Sequence, residues 1–143
     1  MPIGKLRSLS VTEKNVLALT WDDGHAAKVD LSCVVASNKA LKPIMPAKSF
    51  GRAKLSKDNW SVEWPEGVDF GAAQLRRWAG EQAGESMPLA DFRAWMSMHR
   101  MTLDEAAKAL GLSRRMVAYY LSGEKVIPRT VMLATKGWTA EFA

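Results

Sequence analysis

Apolar and polar residues alternate along the first part of the chain, which is typical of β-strands. In NVLALTW, residues 15–21, the alternation places two sets of side chains on opposite faces of a strand: Leu17, Leu19 and Trp21 on one, and Val16, Ala18 and Thr20 on the other. Asp22-Asp23-Gly24 then has the composition of a hairpin turn, and HAAKVDL is the returning strand. With SLSVTE before them, these segments predict an antiparallel meander within residues 1–35 that ends near Val35.

The next segments are more irregular. Residues 36–48 contain two prolines and little periodicity, which predicts a loop with one helical turn around Lys39–Leu41. FGRAKLS, beginning at Phe50, and WSVEW, residues 60–64, are predicted strands, and Trp60 and Trp64 are expected to share a face in a core or an interface. A helix is predicted from Gly71 to Ala83.

From residue 89 onward the apolar positions have helical spacing. Gly80–Pro88 has two glycines, a proline and no periodicity, so we predict a boundary there between domains 1–82 and 83–143. Helices are predicted over Leu89–Arg100 and, after the loop Lys125–Pro128, over Arg129–Gly137. The predicted core of this half consists of Phe92, Trp95, Met96, Ala107, Leu110, Val117, Tyr120 and Leu133.

The most informative stretch is TLDEAAKALGLSRRMVAYYLSG, residues 102–123, which predicts two helices joined by a tight turn. Thr102 and Glu105 have the spacing of a capping box. Gly111 is predicted to end the first helix in a left-handed conformation, and a β-branched side chain there, as in Gly111→Val, is expected to crowd the helix crossing as well as strain the backbone. Ser113 caps the second helix, and a second glycine ends it.

Residue sizes at the crossing carry a family resemblance. Two helices joined by three or four residues need a small contact, which Ala107 supplies, while Gly111 makes the turn and Val117 packs from the second helix. This spacing resembles the helix-turn-helix of lambda-repressor/Cro-like DNA-binding domains, with one departure at Tyr120, where a smaller aliphatic residue is usual. The resemblance implies an all-α DNA-binding domain. The alternative is a plain helical hairpin.

The first half has a resemblance of its own. The strand pair around Trp-Asp-Asp-Gly, the segment at Phe50 and Trp-Pro-Glu-Gly-Val-Asp-Phe resemble a family of small bacterial α+β domains of unknown function, over roughly residues 5–80. Some members precede a lambda-repressor-like segment. The predicted fold class is therefore an α+β domain, an antiparallel sheet with a short helix, followed by an all-α helix-turn-helix domain.

Composition narrows the function classes. The formal net charge is +5, and residues 88–143 hold 8 Lys and Arg against 5 Asp and Glu, a mild excess that suits phosphate contacts. No run of eighteen apolar residues exists, so no membrane span is expected. The first residues lack the apolar segment of a secretory signal. Cys33 is the only cysteine, and together these features favour a reducing cytoplasm.

Seven side chains around the second helix are candidate contacts to double-stranded DNA. The resemblance implies that this helix enters the major groove N-terminus first, so Arg114 and Arg115 are expected to read guanine. Tyr119 lies on the same exposed side and is expected to contact a phosphate or a thymine methyl. The candidate phosphate contacts are Ser113, Ser122, Lys125 and Arg129. The alternative is a solvated face that holds two arginines.

Other chemistry has little support in the sequence. His25 and His99 are far apart and, with Cys33, lack metal-ligand spacing, so neither a metal nor a cofactor is expected. Cys33 lies beside valines and is predicted to be a buried thiol. We therefore expect a non-enzymatic regulator that binds DNA as a homodimer, because one small unit covers a half-site. The alternatives are an interaction module, for instance antitoxin-like, that holds a protein partner through its N-terminal half, and a small enzyme using Cys33 or Asp22-Asp23.

Overall fold

Three antiparallel strands open the described part of the chain, which runs from residue 4 to residue 142 of the computed structural model. They are β1 (Leu6–Glu13), β2 (Val16–Trp21) and β3 (Ala26–Asp30), in the order β1-β2-β3. The register places Leu9 opposite Leu19 and Leu17 opposite Val29. Period-two alternation thus buries one face of the sheet, as predicted.

The chain divides into two compact units, Met1–Gln82 and Ala83–Ala143. The terminal residues of the predicted domains, 1–3 and 143, lie outside the described part. The first unit continues with α1 (Ser32–Ser37), a 3₁₀ helix (Lys39–Ile44), α2 (Ala47–Phe50), β4 (Lys54–Leu55), β5 (Ser61–Glu63), β6 (Asp69–Gly71) and α3 (Ala72–Gln82). The antiparallel sheets and the helices make this a mixed α+β fold.

The meander ends earlier than predicted, because a helix begins immediately after β3. The Asp30 carboxylate accepts a hydrogen bond from the Ser32 backbone N–H at 2.8 Å, a local bond that starts α1. Val35, predicted to end the meander, is instead a buried residue of this helix. Cys33 is exposed on the same helix, so the prediction of a buried thiol is wrong.

The predicted loop over residues 36–48 is mostly helical. Asn38 caps the 3₁₀ helix by accepting the Ala40 N–H at 3.0 Å, and this helix buries Leu41 and Ile44 in the core. Phe50 ends α2 and does not lie in a strand. The 3₁₀ helix buries only Leu41 and Ile44, and two buried positions are too few to show a helical period. The sequence of this segment therefore predicts a loop.

The two tryptophans of the WSVEW segment have different environments. Trp64 is 3% exposed, and its indole N–H donates to the Phe50 carbonyl at 2.9 Å. Trp60 is 47% exposed and lies under the Lys5 ammonium, 5.7 Å from the ring centre. The strand itself covers only Ser61–Glu63, and of the two tryptophans that flank it Trp64 belongs to the core whereas Trp60 does not.

The second unit consists of helices and one two-stranded ribbon. Its elements are β7 (Ser86–Met87), α4 (Leu89–Met98), α5 (Leu103–Leu110), α6 (Arg114–Ser122), β8 (Ile127–Pro128) and α7 (Arg129–Phe142). The ribbon pairs Ser86 with Pro128 and Met87 with Ile127, within segments predicted as a linker and a loop. The closing helix α7 continues well past Gly137, where it was predicted to end.

The core of this unit is largely the predicted one. Its buried members include Phe92, Trp95, Met96, Ala107, Val117 and Tyr120, with Leu110 partly buried against them. Leu133 is 49% exposed and does not belong to the core. Val131 and Thr135 are the buried residues of α7, so its buried stripe lies on a different side from the one assigned to Leu133. None of the helices within residues 4–142 has the length and apolar character needed to cross a bilayer.

Candidate nucleic-acid interface

Side-chain hydrogen bonds cap the starts of α5 and α6. The Thr102 hydroxyl accepts the Glu105 N–H at 3.2 Å, and the Glu105 carboxylate accepts the Thr102 N–H at 3.2 Å. The Ser113 hydroxyl accepts the Met116 N–H at 3.1 Å at the start of α6. Because these bonds satisfy N–H groups that have no partner inside a helix, both helices begin at defined residues.

The turn between the two helices depends on Gly111, which has φ 69° and ψ 30°. In this left-handed conformation the next residue, Leu112, donates its N–H to the Ala107 carbonyl at 2.9 Å. Ala107 and Val117 are buried where the helices pack together. The tight turn and the small buried residues predicted from the sequence are therefore present.

Tyr120 explains the one departure in residue size. It is 6% exposed, and its ring meets Phe92 edge-on with centroids 6.0 Å apart. Burial raises the pKa of the Tyr120 hydroxyl. The larger side chain thus fills space between α6 and α4 and does not crowd the turn.

The exposed side of α6 and the loop after it carry what we call the cation cluster: Arg115 and Tyr119 on the helix and Lys125 in the loop. Arg115 Nε donates to the Tyr119 hydroxyl oxygen at 2.7 Å, and the guanidinium carbon lies 5.4 Å from the ring centre. The Lys125 ammonium lies 5.1 Å from the same ring centre. Two cations thus share one aromatic ring, which attracts each of them through its negative face.

The cation cluster leaves two nitrogens of the Arg115 guanidinium, Nη1 and Nη2, available for a ligand. Arg115 uses Nε for the tyrosine, and within the described residues its Nη1 and Nη2 make no further hydrogen bond. Those two nitrogens have the fork geometry that suits two acceptors on one base or phosphate. The cluster can therefore present an oriented pair of donors to an anionic or acceptor-rich surface.

Arg114 lies in the first turn of α6 but contacts the preceding helix. Its Nη1 lies 3.7 Å from a carboxylate oxygen of Asp104 on α5, and both side chains are more than half exposed. Such an exposed ion pair contributes little to stability and can open at low cost. The sequence alone does not predict this contact, because the proximity of Asp104 to Arg114 depends on the angle at which the two helices cross.

The remaining candidates have partners within the unit. Ser122 Oγ donates to the Tyr119 carbonyl at 3.1 Å and accepts the Glu124 N–H at 3.3 Å, so its only proton is already donated within the unit. Arg129 donates from Nη1 to the Gly84 carbonyl at 3.0 Å, beside the β7–β8 ribbon. The structure thus groups Arg114, Arg115, Tyr119 and Lys125 on α6 and its following loop, whereas Arg129 holds the start of the unit.

Asp23, one of the residues considered for other chemistry, has partners within the first unit. Asp23 pairs with Arg76 at 3.0 Å and accepts the His25 N–H, and the arginine holds the pKa of that carboxyl at about 2. The same guanidinium lies 5.1 Å from the ring centre of Trp21. Within residues 4–142, no three His, Cys, Asp or Glu side chains come together as a metal site would require.

Comparisons with known proteins cover both units. The family DUF2442, described as a protein of unknown function, matches residues 6–81. A crystal structure of a protein from Nitrosomonas europaea ATCC 19718, described as a putative DNA binding protein, is 36% identical in sequence, with a TM-score of 0.58. The match covers 98% of this chain and 91% of that one. No curated protein matches the chain.

Proposed function

The chain belongs to the DUF2442 family of proteins of unknown function, and we propose that its second unit makes it a sequence-specific DNA-binding protein that regulates transcription. In this proposal α5, the turn at Gly111 and α6 form a helix-turn-helix of the lambda-repressor type. The protein acts by binding alone, without a catalytic step, in the bacterial cytoplasm, where DNA is accessible.

The cation cluster is the observation that carries the proposal. It places one positive side chain on the exposed side of α6, the helix that a helix-turn-helix protein inserts into the major groove, and a second in the loop that follows this helix. The name given to the Nitrosomonas europaea protein supports DNA binding, the broader part of this proposal, because the similarity extends over nearly the whole chain. The first unit brings no known activity that would favour another class.

We propose different roles for Ser113, Arg114, Arg115 and Lys125, from their contacts and their chemistry. Arg115 is held by Tyr119 with Nη1 and Nη2 outward, so it is the proposed reader of guanine O6 and N7. Lys125 is a compact charge at the end of the helix, which suits a phosphate. Arg114 reaches DNA after leaving Asp104, and the Ser113 hydroxyl, which keeps its proton, donates to a phosphate beside it.

Tyr119 acts in this proposal as a positioning residue. An unrestrained arginine loses rotamer freedom when it binds, at a cost of about 0.5–1.5 kcal/mol for a long side chain. The 2.7 Å hydrogen bond from Arg115 Nε orders that side chain beforehand. We therefore revise the expectation that Tyr119 itself contacts a phosphate or a thymine methyl. Arg129 is likewise left out of the proposed contacts, because it bonds to Gly84.

The test begins with selection of bound sequences from a random duplex library by the full chain. Arg115→Ala, Lys125→Ala and Lys57→Ala are then titrated against the selected duplex and mismatched ones at several salt concentrations. Losing a base contact is expected to cost about 1–3 kcal/mol and relax preference at one position. Losing a phosphate contact weakens all sequences alike and reduces the salt slope by about one unit. Lys57, an exposed lysine of the first unit, is the control.

Two results would count against the proposal. If the wild-type chain bound no duplex at low salt, the DNA-binding function would fall. If Arg115→Ala retained full sequence preference, the cation cluster would not be the reading surface. The interaction-module alternative rests on exposed Trp60 in the first unit, and a partner that binds the chain and is released by Trp60→Ala would favour it.

A further inference from the structure

An apolar groove of about 480 Å³ lies between α4 and α7 in the second unit. Each helix contributes residues at positions i, i+3, i+4 and i+7, from Asp91 to Met98 on α4 and from Met132 to Thr139 on α7. This spacing forms one continuous stripe along two turns of a helix. Two turns of each helix therefore line the groove.

The polar groups in the groove bond to one another. The Trp95 indole N–H donates to the Thr139 hydroxyl oxygen at 3.0 Å, and that hydroxyl donates to the Thr135 carbonyl at 3.0 Å. The Thr135 hydroxyl donates to the Met132 carbonyl at 2.7 Å. The donors of Trp95, Thr135 and Thr139 are therefore already paired, and an apolar occupant can cover these three residues without leaving a buried donor unpaired.

Methionines give the groove an adaptable surface. Met87 and Met132 line it, and Met98 lies at its edge with 72% of its surface exposed. Unbranched thioether side chains adjust to the shape of a partner. An exposed methionine beside an apolar groove supplies both a projecting side chain and a place to receive one.

We infer that this groove is where a second copy of the chain binds, a surface that deepens the proposed function because a half-site reader gains affinity by pairing. The charges argue for a copy of the same chain: Asp91 is on the α4 wall and Lys136 on the α7 wall. A twofold axis brings each Asp91 to the Lys136 of the other copy, twice. Met98 of each copy then enters the groove of the other. None of the lining residues is on α6, so pairing leaves the cation cluster accessible.

Sedimentation equilibrium of the full chain without DNA tests the surface. Ala94 is an exposed alanine on the α4 wall, so Ala94→Arg fills the groove with a charge and leaves the core untouched. We expect this variant to weaken dimerisation by about tenfold or more. Ala134→Arg is the matched control, because Ala134 is exposed on α7 and does not line the groove. Equal melting curves for both variants establish that folding is retained.

A charge exchange tests the twofold arrangement. Asp91→Lys and Lys136→Asp each place like charges together and are expected to weaken the dimer. The double variant restores opposite charges and is expected to restore the dimer, a recovery that a different partner in the groove would not produce. A wild-type chain that remained monomeric at all concentrations, or a dimer insensitive to Ala94→Arg, would overturn the inference. A groove-dependent dimer that bound no DNA would leave this surface standing and refute the proposed function instead.

Discussion

Replacement of Gly111 by alanine isolates the cost of the turn conformation. At φ 69° an L-residue is strained, but a Cβ built on Gly111 meets no atom within 4 Å. A methyl group at this position therefore has room, whereas the expected crowding by a β-branched side chain concerns atoms beyond Cβ. For Gly111→Ala, the strain of the left-handed backbone conformation is therefore the only cost in the folded state.

The magnitude follows from two opposing effects. A left-handed conformation costs a non-glycine residue about 1–2 kcal/mol. Alanine also restricts the unfolded chain, which returns about 0.4–1 kcal/mol. We expect Gly111→Ala to lower the free energy of unfolding by about 1 kcal/mol. Gly111→Asn should lose less, since asparagine visits this region more readily, and Gly111→Val should lose more, since β-branched residues avoid it.

Gly137 supplies a control of opposite sign in the same unit. It lies inside α7, and a Cβ there also meets no atom within 4 Å. Alanine is favoured over glycine within a helix by about 0.5–1 kcal/mol, so Gly137→Ala is expected to stabilise the unit.

Thermal unfolding followed by circular dichroism measures these differences. For a unit of this size, 1 kcal/mol corresponds to about 4–8 °C in Tm. Gly111→Ala should melt lower than the wild type and Gly137→Ala higher. If both variants shifted Tm in the same direction, or if Gly111→Ala matched the wild type, the conformational argument would be refuted.

Three further predictions concern charge and positioning. Tyr119→Phe keeps the ring but removes the hydroxyl that orders Arg115, so DNA affinity should fall by about 0.5–1.5 kcal/mol while Tm is unchanged; an unchanged affinity would contradict the positioning role. Asp104→Asn removes the carboxylate beside Arg114, so binding should strengthen by about 0.2–1 kcal/mol in a salt-dependent manner; weaker binding would show that the ion pair orients the arginine. Asp23 has its pKa lowered from 3.8 to about 2 in the fold, so its ionised form adds stability above about pH 4 that is lost as pH falls toward 2. Asp23→Asn should flatten the acid unfolding of the first unit over that interval, and an identical pH profile would refute the assignment.

Features set by neighbouring residues could be predicted from the sequence. The caps at Thr102 and Ser113 and the turn at Gly111 depend on residues no more than a few positions apart, so their spacing identifies them. The exposed arginines of α6 follow from the same helical period. By contrast, β7 and β8 contain two residues each and lie forty residues apart, so no local pattern indicates their pairing.

Contacts that depend on the crossing of helices could not be predicted. The proximity of Asp104 and Arg114 requires the angle between α5 and α6. The α4 residues predicted to lie in the core, Phe92, Trp95 and Met96, are buried. The groove beside them could not be predicted, because one helix does not reveal which neighbour lies along its other side.

The β7–β8 ribbon has a consequence for the order of folding. Its pairing of Ser86 with Pro128 joins the two ends of the segment that contains α4, α5 and α6, with the Arg129 side chain on Gly84 beside it. Closing so long a loop carries an entropic cost that the short α5–α6 turn does not. We therefore expect the α5–α6 pair to form before the ribbon closes, and the ribbon to open before that pair separates. Amide hydrogens of Met87 and Ile127 should exchange with solvent sooner than those around Val117, and α7 should become mobile whenever the ribbon is open.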